Sequence, residues 1–178
     1  MKKIGLVLLV ALTILSCNNT PAVDTSGNKP VVLRLLKTDE SQTTHELKKI
    51  NLGVLETTDL NGKVAVVDFW ATWCHPCIAE IPKYNALKEK YAGQDVEIVG
   101  VTVESGSMED IIPKIEEFQM KYQVVYGDDR VVEAFGGVIG FPTTFIVSKN
   151  GTIHKRYLGS PENKIELLEK DIETLLGH

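Results

Sequence analysis

The stretch that most constrains this chain is Asp68-Phe69-Trp70-Ala71-Thr72-Trp73-Cys74-His75-Pro76-Cys77. Two cysteines spaced three apart stand where an apolar strand gives way to a helical pattern. Val64 to Phe69 is a short apolar run of the kind buried on both faces. A helix is expected from about Cys74 to Tyr91, ending at Gly93. At a helix start, the i, i+3 spacing puts both sulfurs on one face within disulfide reach. The first sulfur lies near free backbone N–H groups and the positive end of the helix dipole, which stabilise a thiolate. Two other uses of Cys-x-x-Cys fit less well. A zinc site would need two more ligands, and only His45, His75, His154 and His178 are available, scattered along the chain. Haem attachment would need histidine directly after Cys77, where Ile78 stands.

A third cysteine bears on how that pair is used. Lys2 and Lys3 precede an apolar run from Ile4 to Leu15. At about a dozen residues the run is shorter than the roughly 20 a spanning helix needs, so it reads as a secretory leader. Ile14-Leu15-Ser16-Cys17 resembles a bacterial lipobox. The resemblance implies cleavage before Cys17, lipidation of Cys17 and anchoring to a membrane, with the outer membrane favoured because Asn18 follows the cysteine. A plain secretory leader with a chance cysteine and an uncleaved anchor are the alternatives. On the lipoprotein reading, residues 1–16 are the signal peptide, 17–30 a lipidated tether rich in small and polar residues with Pro21, Gly27 and Pro30, and 31–178 the folded domain. Cys74 and Cys77 are then the one pair left for a disulfide, in a compartment that allows one. The formal net charge of −5 argues against nucleic acid as a partner.

The remaining pattern is α/β. Val31 to Leu36 suggests a strand, so an N-terminal β extension is expected ahead of the turn at Asp59-Leu60-Asn61-Gly62-Lys63. Val96 to Val103 reads as a second buried strand, and Ser107 to about Tyr122 as a helix with acidic residues in its first turn. Gln123 to Tyr126 reads as a short strand and Asp129 to Phe135 as a short helix. Thr143 to Ser148 and Thr152 to Tyr157 form a hairpin, with Lys149-Asn150-Gly151 suggesting a type I′ turn. Pro161 to Leu176 is an amphipathic helix.

With these elements in order, Val67 to Cys77 resembles the active-site strand and loop of thioredoxins. Phe69-Trp70-Ala71-Thr72-Trp73-Cys74 is especially similar to the TlpA/ResA-like, membrane-tethered branch. Gly140-Phe141-Pro142-Thr143-Thr144-Phe145-Ile146-Val147, with Asn150-Gly151 beyond it, resembles that branch's second signature. The resemblance implies a thioredoxin-like fold, with a central mixed sheet flanked by helices. It also implies a monomeric thiol-disulfide oxidoreductase without an organic cofactor or metal. Such a protein would act on protein disulfides outside the cytoplasm as a reductant, recharged by a membrane dithiol donor, with cytochrome c maturation as a pathway.

Roles follow residue by residue. Cys74 is the attacking thiolate and Cys77 the resolving thiol. Pro142 matches the family's cis-proline, and Phe141 offers backbone to an extended substrate. Asp68 matches the buried aspartate of thioredoxins, a proton acceptor for Cys77, whereas the TlpA-like branch that the chain resembles often has asparagine there. The alternative for Asp68 is a solvent-exposed strand end. Glu80, three after Cys77, matches a glutamate that tunes thiol acidity in ResA-like proteins, or is an ordinary solvated helix residue. Trp73, His75 and Pro76 form the rim that a substrate meets, with protonated His75 able to favour the Cys74 thiolate. Trp70 reads as core, Pro82 as the family's helix-kink proline and His154 as a surface residue. Oxidase or isomerase activity, a peroxidase, a copper chaperone and a non-catalytic binding module are the alternatives. A peroxidase of the peroxiredoxin type would want Pro-x-x-x-Thr-x-x-Cys, which the residues before Cys74 do not provide.

Overall fold

A computed structural model describes residues 32–38, 50–56, 60 and 62–177. The leader, the tether and Cys17 lie outside the described residues, as do His45 and His178. The elements run β1 (Val32–Thr38), β2 (Ile50–Glu56), β3 (Val64–Trp70), α1 (His75–Lys90), β4 (Val96–Thr102), α2 (Met108–Glu117), β5 (Gln123–Tyr126), α3 (Asp129–Ala134), β6 (Thr143–Val147), β7 (Ile153–Leu158) and α4 (Lys164–Leu176). They build one mixed sheet in the order β2-β1-β5-β4-β3-β6-β7. Strands β3, β4 and β5 are mutually parallel, and β6 and β7 return antiparallel. The expected N-terminal extension takes the form of β1 and β2, which pair antiparallel and join the sheet at β5.

Every residue of β3 and β4 is buried, as befits mostly apolar strands covered on both faces, with Asp68, Glu97 and Thr102 as the polar exceptions. The period of two along β3 sorts its side chains between two cores. Ala65, Val67 and Phe69 face the α3 side, where Phe69 meets Phe135 and Phe145 edge to face. Val64 and Val66 face Ile81, Tyr84 and Leu87 of α1 and Leu168 and Ile172 of α4. Asp68 and Trp70 share that second face, so the strand's one carboxylate is aimed beneath α1.

Three local expectations need correction. The expected helix to Tyr122 stops at Glu117, because Gln119 adopts a left-handed conformation (φ 54°). There Gln119 N–H bonds Glu116 O and Met120 N–H bonds Ile115 O, a Schellman closure normally signalled by glycine. The Asn85 side chain braces this corner, donating to Gln119 O and accepting from Lys121 N–H. The β6–β7 turn is not type I′. Gly151 is left-handed (φ 83°), whereas Asn150 is not among the positive-φ residues. A bond from Gly151 N–H to Ser148 O instead closes a three-residue loop with glycine at its left-handed last position. Finally, α4 begins at Lys164 rather than Pro161, with Asn163 as its N-cap residue.

Candidate active site

Strand β3 ends at Trp70, and the backbone turns through Ala71 to Trp73 before α1 begins. Cys74 is the N-cap residue of α1, with its N–H bonded to Ala71 O. Pro76, which lacks an N–H, stands in the first turn where none is needed. Cys74 and Cys77 are joined by a disulfide, with Cα atoms 5.3 Å apart. The Cys74 sulfur also accepts a hydrogen bond from Cys77 N–H at 3.3 Å. Backbone therefore already directs a donor at the sulfur that would carry charge after reduction.

The rim around the disulfide is apolar. Trp73 is 56% exposed, yet its indole N–H is fixed by a 2.8 Å bond to Glu104 O. Its ring meets Phe141 edge to face at 5.7 Å. Phe141 precedes a cis peptide bond to Pro142 and packs on the cluster containing Cys74 and Cys77. His75 and Pro76 are exposed beside it, and Cys74 itself is only 4% exposed. Leu158 and Ile139 extend the exposed apolar surface near Gly140.

Behind the rim lies a buried polar cluster. Asp68, 2% exposed, accepts hydrogen bonds at Oδ1 from Thr144 (2.7 Å) and Tyr84 (3.1 Å). Burial pushes its pKa up to about 6, opposed by the nearby Lys164 ammonium and the Thr144 bond. Burial and the same carboxylate push the Tyr84 phenol well above its ordinary value. The solvent-exposed alternative for Asp68 is therefore overturned. So is the solvated alternative for Glu80, which is 2% exposed and bonded by Lys164 Nζ at 2.8 Å. Among the described residues, the hydrogen-bond partners of Asp68 are Tyr84 and Thr144 rather than the disulfide sulfurs.

This chain matches the model of the AhpC/TSA family over residues 39–156. It is 38% identical over 104 residues to the thiol-disulfide oxidoreductase ResA of Geobacillus thermodenitrificans, a match covering 58% of this chain and 59% of that relative. It is 31% identical to the ResA of Bacillus thuringiensis subsp. konkukian, over 68% of each. The chain belongs to the AhpC/TSA family, in its ResA-like branch. A crystal structure assigned as the thiol:disulfide interchange protein DsbE of Chlorobium tepidum superposes with a TM-score of 0.66 at 25% identity, covering 82% of this chain and 94% of that one. StoA of Bacillus subtilis shares the fold, with a TM-score of 0.60 at 20% identity over 80% of this chain and 97% of its own.

In this ResA-like chain, the residues singled out in the sequence are gathered into two adjoining groups. Cys74, Cys77, Trp73, His75, Pro76, Phe141 and Pro142 make the rim, and Asp68 and Glu80 lie in the cluster behind it. Trp70 is buried, as expected, and His154 is exposed on β7. Sequence reasoning missed Tyr84, Thr144 and Lys164. Thr144 lay inside the second signature and pairs directly with Asp68 across β3 and β6. Tyr84 lies on the buried face of α1 with Cys77, Glu80 and Ile81. Lys164 falls four residues before Leu168, on the stripe of α4 that faces the core.

Proposed function

We propose that this chain is a thiol-disulfide oxidoreductase that reduces protein disulfides outside the cytoplasm, tethered to a membrane through Cys17. The observation that carries the reading is the Cys74–Cys77 bond at the N-terminus of α1, flanked by the Phe141–Pro142 loop and backed by a buried carboxylate. In the reduced enzyme the Cys74 thiolate attacks one sulfur of a substrate disulfide and expels the other as a thiolate. Cys77 then gives its proton to Asp68, directly or through water, and its sulfur attacks Sγ of Cys74. The Cys74–Cys77 bond forms, the mixed disulfide breaks and the second substrate thiol leaves. Two electrons pass from the enzyme dithiol to the substrate, and a membrane dithiol donor restores them.

Phe141 and Trp73 give an extended polypeptide an apolar ledge beside the thiol. Glu80 tunes the acidity of the pair from behind, and His75 from the exposed side. Maturation of c-type cytochromes, in which haem-binding cysteines must be kept reduced, is the pathway this reading favours. The reduction potential of the Cys74/Cys77 couple tests the direction. A value near about −250 mV or below fits a reductant, whereas one near about −120 mV would make the protein an oxidant and overturn that direction.

A further inference from the structure

Lys164 is a buried lysine, at 1% exposure. Its position breaks two local rules. A cation at the first position of a helix opposes the helix dipole, and a buried ammonium is costly unless paired. Both conflicts are resolved by carboxylates that come from other elements. Nζ bonds Glu80 Oε2 of α1 at 2.8 Å and lies 3.9 Å from Asp68 Oδ1 of β3. It also stands 5.7 Å from the centre of the Tyr84 ring.

The sheet does not supply the countercharge. The neighbours of Asp68 across the ladders are Gly100 on β4 and Thr144 on β6. The groups facing Asp68 are therefore Thr144 from β6, Glu80 and Tyr84 from α1, Tyr122 from the segment before β5, and Lys164 from α4. Two carboxylates and one ammonium leave the cluster short by one positive charge. That is the balance of a site in which one carboxylate stays ionised as a partner while the other exchanges a proton.

We infer that Lys164 is a positioning residue for disulfide exchange: its ammonium neutralises Glu80 and thereby keeps Asp68 available to take the proton of Cys77. The inference rests on the reading of Asp68 as the proton acceptor. The effect of each charge on Asp68 has the matching sign, since Lys164 favours its ionised form and Glu80 opposes it. With Lys164 removed, Asp68 loses the charge that favours its ionised form while the opposing effect of Glu80 stays, so Asp68 is already protonated at a pH where it should accept.

The test uses the full chain, reduced and then mixed with glutathione disulfide. The fluorescence of Trp70 and Trp73 follows the intramolecular step in which Cys77 displaces glutathione from Cys74, across a pH series. Lys164→Met should move the acid limb of this step upward by about one to three pH units, slowing it tenfold or more below the new midpoint. Glu80→Gln, which leaves Lys164 in place, should move the limb downward and keeps the test open if Lys164→Met does not fold. Unmoved midpoints in both variants, with rates lowered equally at every pH, would make Lys164 a structural residue and overturn the proposal. Asp68→Asn separates the two readings. If it leaves the acid limb in place, Asp68 is not the acceptor and both readings fall. If it abolishes the limb while the other two variants leave the midpoint unmoved, only the role of Lys164 falls.

Discussion

The rim and the cluster behind it are built in opposite ways. The rim comes from two short contiguous stretches, Trp73 to Cys77 and Phe141 to Pro142, brought together by the β3–β6 pairing. It is apolar and partly open, and backbone geometry sets much of it: a helix N-terminus, an indole fixed on a carbonyl, a cis peptide bond. The cluster takes one or two residues from each of β3, α1, β6 and α4 and is closed to solvent. The rim is suited to meeting many substrates, because little in it demands a particular side chain. The cluster is suited to holding charge, because each of its polar side chains has a partner from another element.

That contrast can be broken or sharpened by substitution. The largest effect belongs to the rim. Cys74→Ser should reduce exchange to background, and Cys77→Ser should leave substrate trapped on Cys74 as a mixed disulfide visible by intact mass. In the cluster, Lys164→Met should destabilise the fold by about 3–5 kcal/mol in urea unfolding at neutral pH, the usual penalty for breaking a buried pair on one side. Adding Glu80→Gln should recover a large part of that loss. Asp68→Asn should slow the resolving step about a hundredfold, as loss of a positioned base does, and leave the first attack nearly unchanged.

The same Asp68→Asn variant should be more stable than the parent at neutral pH, by on the order of 1–3 kcal/mol. The folded pKa of Asp68 is raised from 3.8 to about 6, so folding binds its proton more tightly. Its contribution to stability is therefore favourable at low pH and declines as pH rises from about 4 through about 6. A parent and variant with parallel stability profiles over that interval would remove Asp68 as a titrating group. The smallest effect returns to the rim. Trp73→Ala should raise KM for a protein disulfide several-fold with little change in kcat, because it removes contact area rather than chemistry.

The same contrast explains what could be read in advance. The strands were legible because β3 and β4 are mostly apolar and rich in β-branched residues, and the rim was legible because its residues are adjacent in sequence. Gln119 concealed the end of α2 because a left-handed glutamine looks like any other helical residue until the chain has turned. Asn150-Gly151 suggested a two-residue turn, but one more loop residue changed the turn type without disturbing the hairpin. Asp68 and Glu80 could be located but not paired, since Lys164 lies 84 positions beyond Glu80 and looks like a surface residue at a helix start. The usable signal was its place on the apolar stripe Lys164, Leu168, Asp171 and Ile172, where a lone lysine must face a carboxylate.

The origin of Lys164 in α4 also makes the buried cluster depend on the last of the described helices. Every other part of the site precedes Val147, and α4 is synthesised after all the other described elements. Without that helix, Asp68 on β3 and Glu80 on α1 would lack the cation that pairs with them. A chain interrupted before α4 would carry the cysteines, Asp68 and Glu80 but not the ammonium that pairs with the two carboxylates.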